Sequence, residues 1–466
     1  MSKALRWAVL GVVLALLLRL WVLGSGPDLD TDSYGHARIG RLAMEHPTRL
    51  AVHWVWLPLW HFVLGGAARL GLGFTAMRVV DALLAAGVPL LTFAIVARAS
   101  RSRVAGSAAG TSHGVAVLAA WFAAWFPLAI THGASAEPES LFAVLVLIAC
   151  AALEARRWLG CGAALALAVL LRFEAWASLP AFALAALWTA RGSSVQRLVC
   201  ALWTVLLPTV VIVLYTVLHA LAYDGVWLAF VRENAVFVRE ARALAPANPN
   251  GPQPEWTWYL ASLPWRTAGP VVLTALVGVV PFVRAAPRSF VCVGPWLLAF
   301  VSVGWIREQH LGLDRHFFAV IPFYATAMAE GAWLLASALQ STPARQRLLG
   351  ASVLLLCGYS LYSARSHARA SAASFVDERA IAVRLTEARP PPGSVHCSAP
   401  EIEVFSALAA DRFADPEVLV QRAQTGAPVW VVEEHTRRAR WPSSWRAIEQ
   451  RGRWLLLSNA QGEDLR

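Results

Sequence analysis

Asp28, Asp30 and Asp32 stand at alternate positions and are followed closely by His36 and Arg38. They come directly after an apolar run from Ala8 to Leu23. Carboxylates at the mouth of a membrane helix are costly unless they carry a function. An Asp-x-Asp pair such as Asp30/Asp32 can ligate a divalent cation, Mg or Mn, through hard oxygen atoms. One of the two can instead act as a general base toward a hydroxyl group. A helix cap is the structural alternative for one of the three. Asp32 and His36 are one helical turn apart and share a face. Asp32 is therefore the first candidate and Asp30 the second, with Asp28 expected to be a cap or a solvated residue.

Further polar groups interrupt the apolar sequence. Glu137-Pro138-Glu139 opens one apolar segment, and Arg172-Phe173-Glu174 lies between two short ones. A helix start with Pro in the first turn is the structural alternative for the former, and an internal ion pair for the latter. Arg307–His316 gathers Arg307, Glu308, His310, Asp314, Arg315 and His316. Such a basic cluster suits a phosphate at headgroup depth, with interfacial snorkelling as its competitor.

These groups are held by elements that read as membrane helices. Of 466 residues 58% are hydrophobic and 15% charged, against about 25% charged in soluble domains. The composition predicts an α-helical polytopic membrane protein with about eleven spans. The spans are near Leu5–Leu23, 76–97, 115–130, 141–153, 159–171, 176–190, 198–221, 271–283, 290–305, 317–338 and 348–362. The net charge of +11 excludes little alone. The arginines fall in alternate short loops, which reads as positive-inside orientation rather than nucleic-acid binding. That parity sets the N-terminus in the cytoplasm. It sets Asp28–Asp32, Glu137/Glu139, Arg172/Glu174, 223–269 and 307–316 outside. His53, Trp54, Trp56, Pro58, Trp60 and His61 are interface residues, so 51–66 is read as lying in the outer interface rather than crossing. The cluster Pro246–Pro254 reads as an irregular, lid-like loop.

The membrane part is expected over 1–363, with its first outer loop at 25–75, and a small extracytoplasmic α/β domain over 364–466. Strands are expected at Val395–Cys397, Val429–Val432 and Trp454–Leu457, and helices at Ala399–Ala410 and Pro442–Arg451. The six cysteines are scattered and suggest no disulfide framework.

Several motifs, taken together, resemble the GT-C class of integral-membrane glycosyltransferases. Asp30-Thr-Asp32-Ser-Tyr34 through Arg38-Ile-Gly-Arg-Leu-Ala is similar to its first-loop pattern. Trp56-Leu-Pro-Leu-Trp60-His61 resembles its in-plane helix, and Ala136-Glu137-Pro138-Glu139 its Glu-Pro turn. Arg172-Phe-Glu174 and Arg315-His316-Phe-Phe through Pro322 resemble two further elements. The resemblance covers roughly the first 340 residues. It implies an inverting, mannosyltransferase-like enzyme using a polyprenyl-phosphate sugar donor and a glycan, lipid or protein acceptor. Carried over, Asp32, Asp30 and Glu137 would be catalytic. His36, Arg38, His53, His61, Arg172, Glu174, Arg315 and His316 would bind substrate. A transporter or flippase of a lipid-linked or anionic substrate is the alternative, with Asp81 and Glu174 as the charges to examine.

Overall fold

A computed structural model describes residues 2–103, 110–244, 256–406, 408 and 410–459. The proposed lid at Pro246–Pro254 lies outside the described residues. Nineteen α-helices are described, and the first, α1 (Lys3–Gly24), is apolar but for Lys3, Arg6 and the buried Arg19. The acidic loop follows, then α2 (Thr31–Glu45), a 3₁₀ turn at Leu50–His53, and α3 (Pro58–Arg69). The apolar bundle continues with α4 (Phe74–Arg103), α5 (Gly110–Ala124), α6 (Pro127–Thr131), α7 (Glu139–Glu154), α8 (Trp158–Ala168), α9 (Phe173–Thr189) and α10 (Ser194–Ala222). Then come α11 (Ala229–Leu244), α12 (Leu263–Ala268), α13 (Leu273–Ala285), α14 (Arg288–Ile306), α15 (Ile321–Ser337) and α16 (Thr342–Ala373).

Each of the eleven apolar segments contains helix. Among the described residues seven stretches are long and apolar enough to cross a membrane, or eight if the bent pair α5/α6 is one span. That pair bends by 59°, where Pro127 begins the second half. The helices α7, α8 and α9 have 16, 11 and 17 residues, short of the ~20 that a straight crossing needs. The count of eleven spans is therefore not reached by length.

Close crossings fix the helix geometry around the acidic loop. A Cβ on Gly65 would lie 2.1 Å from the Gly40 carbonyl oxygen, so α2 and α3 meet backbone to backbone. A Cβ on Gly331 would lie 1.8 Å from the Thr274 oxygen, which brings α15 against α13 in the same way. Small residues permit such approaches where apolar area alone gives helices no reason to associate. Trp60 Nε1 donates to the Ala136 carbonyl at 2.9 Å, tying α3 to the Glu137 turn.

Beyond α16 the chain forms α17 (Val376–Glu387), β1 (Val395–Cys397), α18 (Pro400–Ser406), α19 (Pro416–Gln424), β2 (Trp430–Glu434), β3 (Arg446–Arg451) and β4 (Trp454–Ser458). The sheet order is β1-β2-β4-β3, with β1 parallel to β2 and the other pairs antiparallel. Alternate residues of β2 and β4 enter two cores: Val432 and Leu456 with Ile381, Leu385 and Ile402, and Val431 and Leu457 with Leu419, Trp441 and Trp445. The helix expected at Pro442–Arg451 is instead a turn and the strand β3. That strand carries polar, largely exposed residues and lacks the apolar alternation that marks a strand.

Candidate active site

Helix α2 starts inside the acidic loop. Asp28 Oδ1 accepts from the Asp30 amide, and Asp30 Oδ1 from the Asp32 amide, both at 3.1 Å. Asp30 is thus the cap of α2, and Asp28 instead holds the turn before it. These bonds leave Oδ2 of each free for other partners. Asp28 is neither solvated nor idle: it is 2% exposed. Its Oδ2 accepts from the Ser33 hydroxyl at 2.9 Å and from the Ala136 amide at 3.3 Å, with the Arg78 guanidinium 3.8 Å away. Burial pushes its carboxyl above the usual range, against the pull of Arg78.

Arg315 enters from the far end of the chain, on the 3₁₀ turn Asp314–Val320 that leads into α15. Its guanidinium donates to Asp30 Oδ2 at 2.6 Å, to Glu137 Oε1 at 3.1 Å, and to Asp32 Oδ2. Three acids from two remote segments thus meet on one cation. Asp30 and Asp32 side chains are 24% and 32% exposed, while Glu137 is 2%. The site therefore has an open side, formed by the two aspartates, and a closed side. Burial acts upward on Asp32, but the Arg315 guanidinium against it holds the carboxyl below its ordinary value. Glu137 goes the other way. Enclosure drives its carboxyl well above the usual range despite Arg315, and Asp30, Glu139 and Asp32 add to that push. The two acids are separated in proton affinity by their surroundings.

A second ionic group adjoins the first. Arg172 Nε lies 3.1 Å from both Glu174 oxygens, its terminal nitrogens bond Glu174 at 2.6 Å and also Glu139, and it donates to His316 Nδ1 at 2.7 Å. Glu139 Oε1 is also 3.8 Å from Arg315 Nε, so it joins the two groups.

Helix α2 sorts the remaining candidates by face. His36 lies on the Asp32 side, 3.3 Å from Glu137 Oε2. Arg38 does not. Its guanidinium donates to the Cys397 carbonyl at 3.2 Å and pairs with Glu403 of α18 at 3.2 Å. Arg41 also pairs with Glu403, and the Tyr34 ring stacks on Phe74 at 4.7 Å and edges onto Phe405 at 5.3 Å. The expected substrate contact of Arg38 is thus a contact with the C-terminal region. His53 and His61, also expected at substrate, are 1% and 0% exposed and bonded to each other at 2.8 Å. They lie behind the site.

Asp30 and Asp32 do not have the arrangement of a cation pair, because their outward oxygens are already turned to Arg315. Among the described residues no group of three or more His, Cys, Asp or Glu converges as metal ligands. Residues missed from sequence are Asp28, Ser33, Arg78 and Glu139. For Glu139 the signal was present, as the second acid of the Glu-Pro-Glu turn. For Arg78, a buried arginine donating at 2.9 Å to the Ala134 and Gly26 carbonyls, the spacing within α4 gave none.

Comparison with solved structures sets this geometry in a known architecture. The crystal structure of ArnT from Cupriavidus metallidurans in the apo state matches over 98% of this chain and 99% of its own, with a TM-score of 0.68 and 14% identity. This chain has the ArnT fold. The same protein bound to undecaprenyl phosphate matches with a TM-score of 0.65, 15% identity and the same coverage. The ArnT fold is that of the GT-C class whose motifs the sequence resembles. An Archaeoglobus fulgidus oligosaccharyltransferase complex with Zn and sulfate aligns over 91% of this chain and 68% of its own, at 12% identity and a TM-score of 0.47. No protein-family model matches the sequence, and no curated protein sequence does so either.

Proposed function

We propose that this protein transfers a sugar from a polyprenyl-phosphate donor to an acceptor hydroxyl, with Asp32 as the base. The observation that carries the reading is the Arg315 centre, one guanidinium on Asp30, Asp32 and Glu137. It sits in a fold whose solved neighbour is bound to undecaprenyl phosphate. A lipid-phosphate leaving group needs positive charge where its oxygens gain charge. Arg315 supplies it, with Arg172 and His316 beside it.

The chemistry follows from competition for one cation. At rest Arg315 holds Asp32 ionised but weakly basic. A donor phosphate draws the guanidinium toward itself, and Asp32 regains the basicity that a general base needs. The acceptor oxygen then attacks the anomeric carbon as its proton passes to Asp32. The bond from that carbon to the phosphate oxygen breaks, and its electron pair stays on the phosphate. A single displacement inverts the anomeric centre. The alternating basic loops support an extracytoplasmic site. The motif resemblance favours a mannosyl donor, and the acceptor is a glycan, lipid or protein hydroxyl.

The test is transfer from radiolabelled undecaprenyl-phosphate sugars in membranes containing wild-type, Asp32→Asn or Asp30→Asn protein. Undiminished transfer by both variants would overturn the reading. For the transporter alternative, Glu174 is already paired with Arg172, which leaves Asp81 as the buried acid to examine. Substrate uptake by reconstituted vesicles, without transfer, would support that alternative.

A further inference from the structure

Three histidines behind the acidic loop are joined in series. Glu137 Oε2 lies 3.3 Å from His36 Nε2 and has no hydrogen-bond partner, so this first link is a close contact that a small turn of either side chain makes into a hydrogen bond. His36 Nδ1 meets His61 Nε2 at 2.9 Å, and His61 Nδ1 meets His53 Nδ1 at 2.8 Å. The rings are 2%, 0% and 1% exposed. Their positions are set by backbone features. His36 and His61 each stand one turn before a glycine of the tight α2–α3 crossing, Gly40 and Gly65. His53 closes the 3₁₀ turn before α3. His36 also lies against the Trp56 ring, 4.5 Å between centroids, and His53 against Phe62 at 5.4 Å.

Buried imidazoles are costly unless their nitrogens are bonded. Packing alone would be served by apolar rings. Here the two shared contacts use both nitrogens of His61, and His36 has one nitrogen toward Glu137 and the other toward His61. Neutral rings can fill these contacts in two ways. In one, Glu137 is protonated and donates to His36 Nε2, His36 and His61 carry Nδ1–H, and His53 carries Nε2–H. In the other, Glu137 is ionised, His36 and His61 carry Nε2–H, and His53 carries Nδ1–H. The two differ by one proton, lost from Glu137 and released at His53 Nε2. A ring that stayed charged in either end state would place donor against donor along the series, so charge resides on a ring only while the proton passes. Burial lowers His36 and His53 to about 4 and His61 well below its ordinary value, so all three are neutral near pH 7. Asp32, Glu139 and Asp30 oppose that shift at His36 while Arg315 reinforces it. His219 of α10 reinforces it at His53.

We propose that His36, His61 and His53 form a proton path between the enclosed carboxyl of Glu137 and the rear of the site. One proton leaves Glu137 by the forward passage and one returns by the reverse, so each ring ends a round trip as it began. Trp54, next to His53, lines a cleft of about 480 Å³ with Tyr223, Arg232, Glu233, Phe237 and Glu240. His53 itself does not line the cleft, and we take the cleft, one residue beyond it, as the outlet. Its use in turnover rests on the sugar-transfer reading: a bound lipid phosphate and acceptor cover the open aspartate side, and Glu137 then needs access from behind.

The experiment needs no substrate, so it fails or succeeds apart from that reading. Full-length protein in lipid nanodiscs is moved into deuterated buffer, and the carboxylic-acid stretch of Glu137 is followed by infrared spectroscopy. The band is assigned by its loss in Glu137→Gln. Wild-type exchange is expected to be fast. His61→Phe, which cuts the path, and His53→Gln, which removes its outlet without added bulk, should slow it by about a hundredfold, the usual scale for a positioned proton-transfer group. If His61→Phe does not fold, His53→Gln carries the test. Added imidazole should restore exchange in His53→Gln. Wild-type exchange rates in folded variants, or the absence of a Glu137-dependent acid band, would overturn the proposal.

Discussion

Arg315 and Arg172 stand on either side of Glu139, yet the two ion groups are built on different plans. Arg172 is held by Glu174, two residues away, and by Glu139, and both acids are buried. Arg315 is held by acids 285, 283 and 178 residues away, two of them partly open to solvent. The acids of the Arg172 group are 3% and 10% exposed against 24% and 32% for Asp30 and Asp32, and breaking a pair of buried acids strands a buried charge. A pair open on one side can exchange its partner for a ligand. On that difference we propose an architectural role for Arg172 and a chemical one for Arg315.

The largest effect is expected at the open pair. Asp32→Asn should lower sugar transfer by about 10²–10⁴-fold, the scale of a lost general base, with Asp30→Asn falling less. Equal losses in the two would erase the distinction between base and cap. Next, Arg315→Ala should lower transfer by about 10²–10³-fold in membranes holding normal amounts of protein. Arg172→Ala should instead act on stability. Thermal unfolding in detergent should show a loss of about 3–5 kcal/mol, because Glu139 and Glu174 are left buried without their cation. A stable but inactive Arg172→Ala would break the comparison.

Acid provides a smaller and more distributed effect. His36 and His53 have folded values near 4 against about 6.5 when unfolded. Their stabilising contribution is therefore whole above about pH 6.5 and is lost as pH falls toward 4, about 3 kcal/mol each. Asp32, held low, contributes above the ordinary carboxylate range and loses its share as pH falls through its depressed folded value. Unfolding temperature measured against pH should decline over that interval, and less in His53→Gln. The smallest effect is expected at Glu403→Gln. It weakens the bridge from Arg38 and Arg41 to α18 by about 1–3 kcal/mol, read as earlier proteolysis of the C-terminal region with the bundle intact.

What could be read from the sequence divides along the same line. The Arg172–Glu174 pair is local and visible in three letters. The membrane helices are legible because apolar length is a one-dimensional property. The meeting of Arg315 with Asp30 and Asp32 spans most of the chain, and no periodicity reports it. Only motif order hinted that these residues belong together. Arg38 was assigned to the site through the first-loop motif, although it stands two residues from His36 and so nearly on the opposite side of the helix. Tyr34, Arg38 and Arg41 follow the spacing of one face, and that face meets Phe405 and Glu403. The histidine series was illegible because the chain reverses at Trp54, which adopts φ 52°. Strand β3 escaped because an exposed edge carries no hydrophobic signal.

The long reach of Arg315 has a consequence for how the protein is made. Asp30 and Asp32 leave the ribosome 285 and 283 residues ahead of their cation. At about 5–20 residues per second, that is roughly 15–60 s. Throughout that interval the acidic loop must be kept hydrated, or shielded by the insertion machinery, beside apolar helices that are already seated. Glu403, the partner of Arg38 and Arg41, arrives later still. Nascent chains stalled before Arg315 should therefore carry a first loop open to protease, which closes only when the last third of the protein has been synthesised.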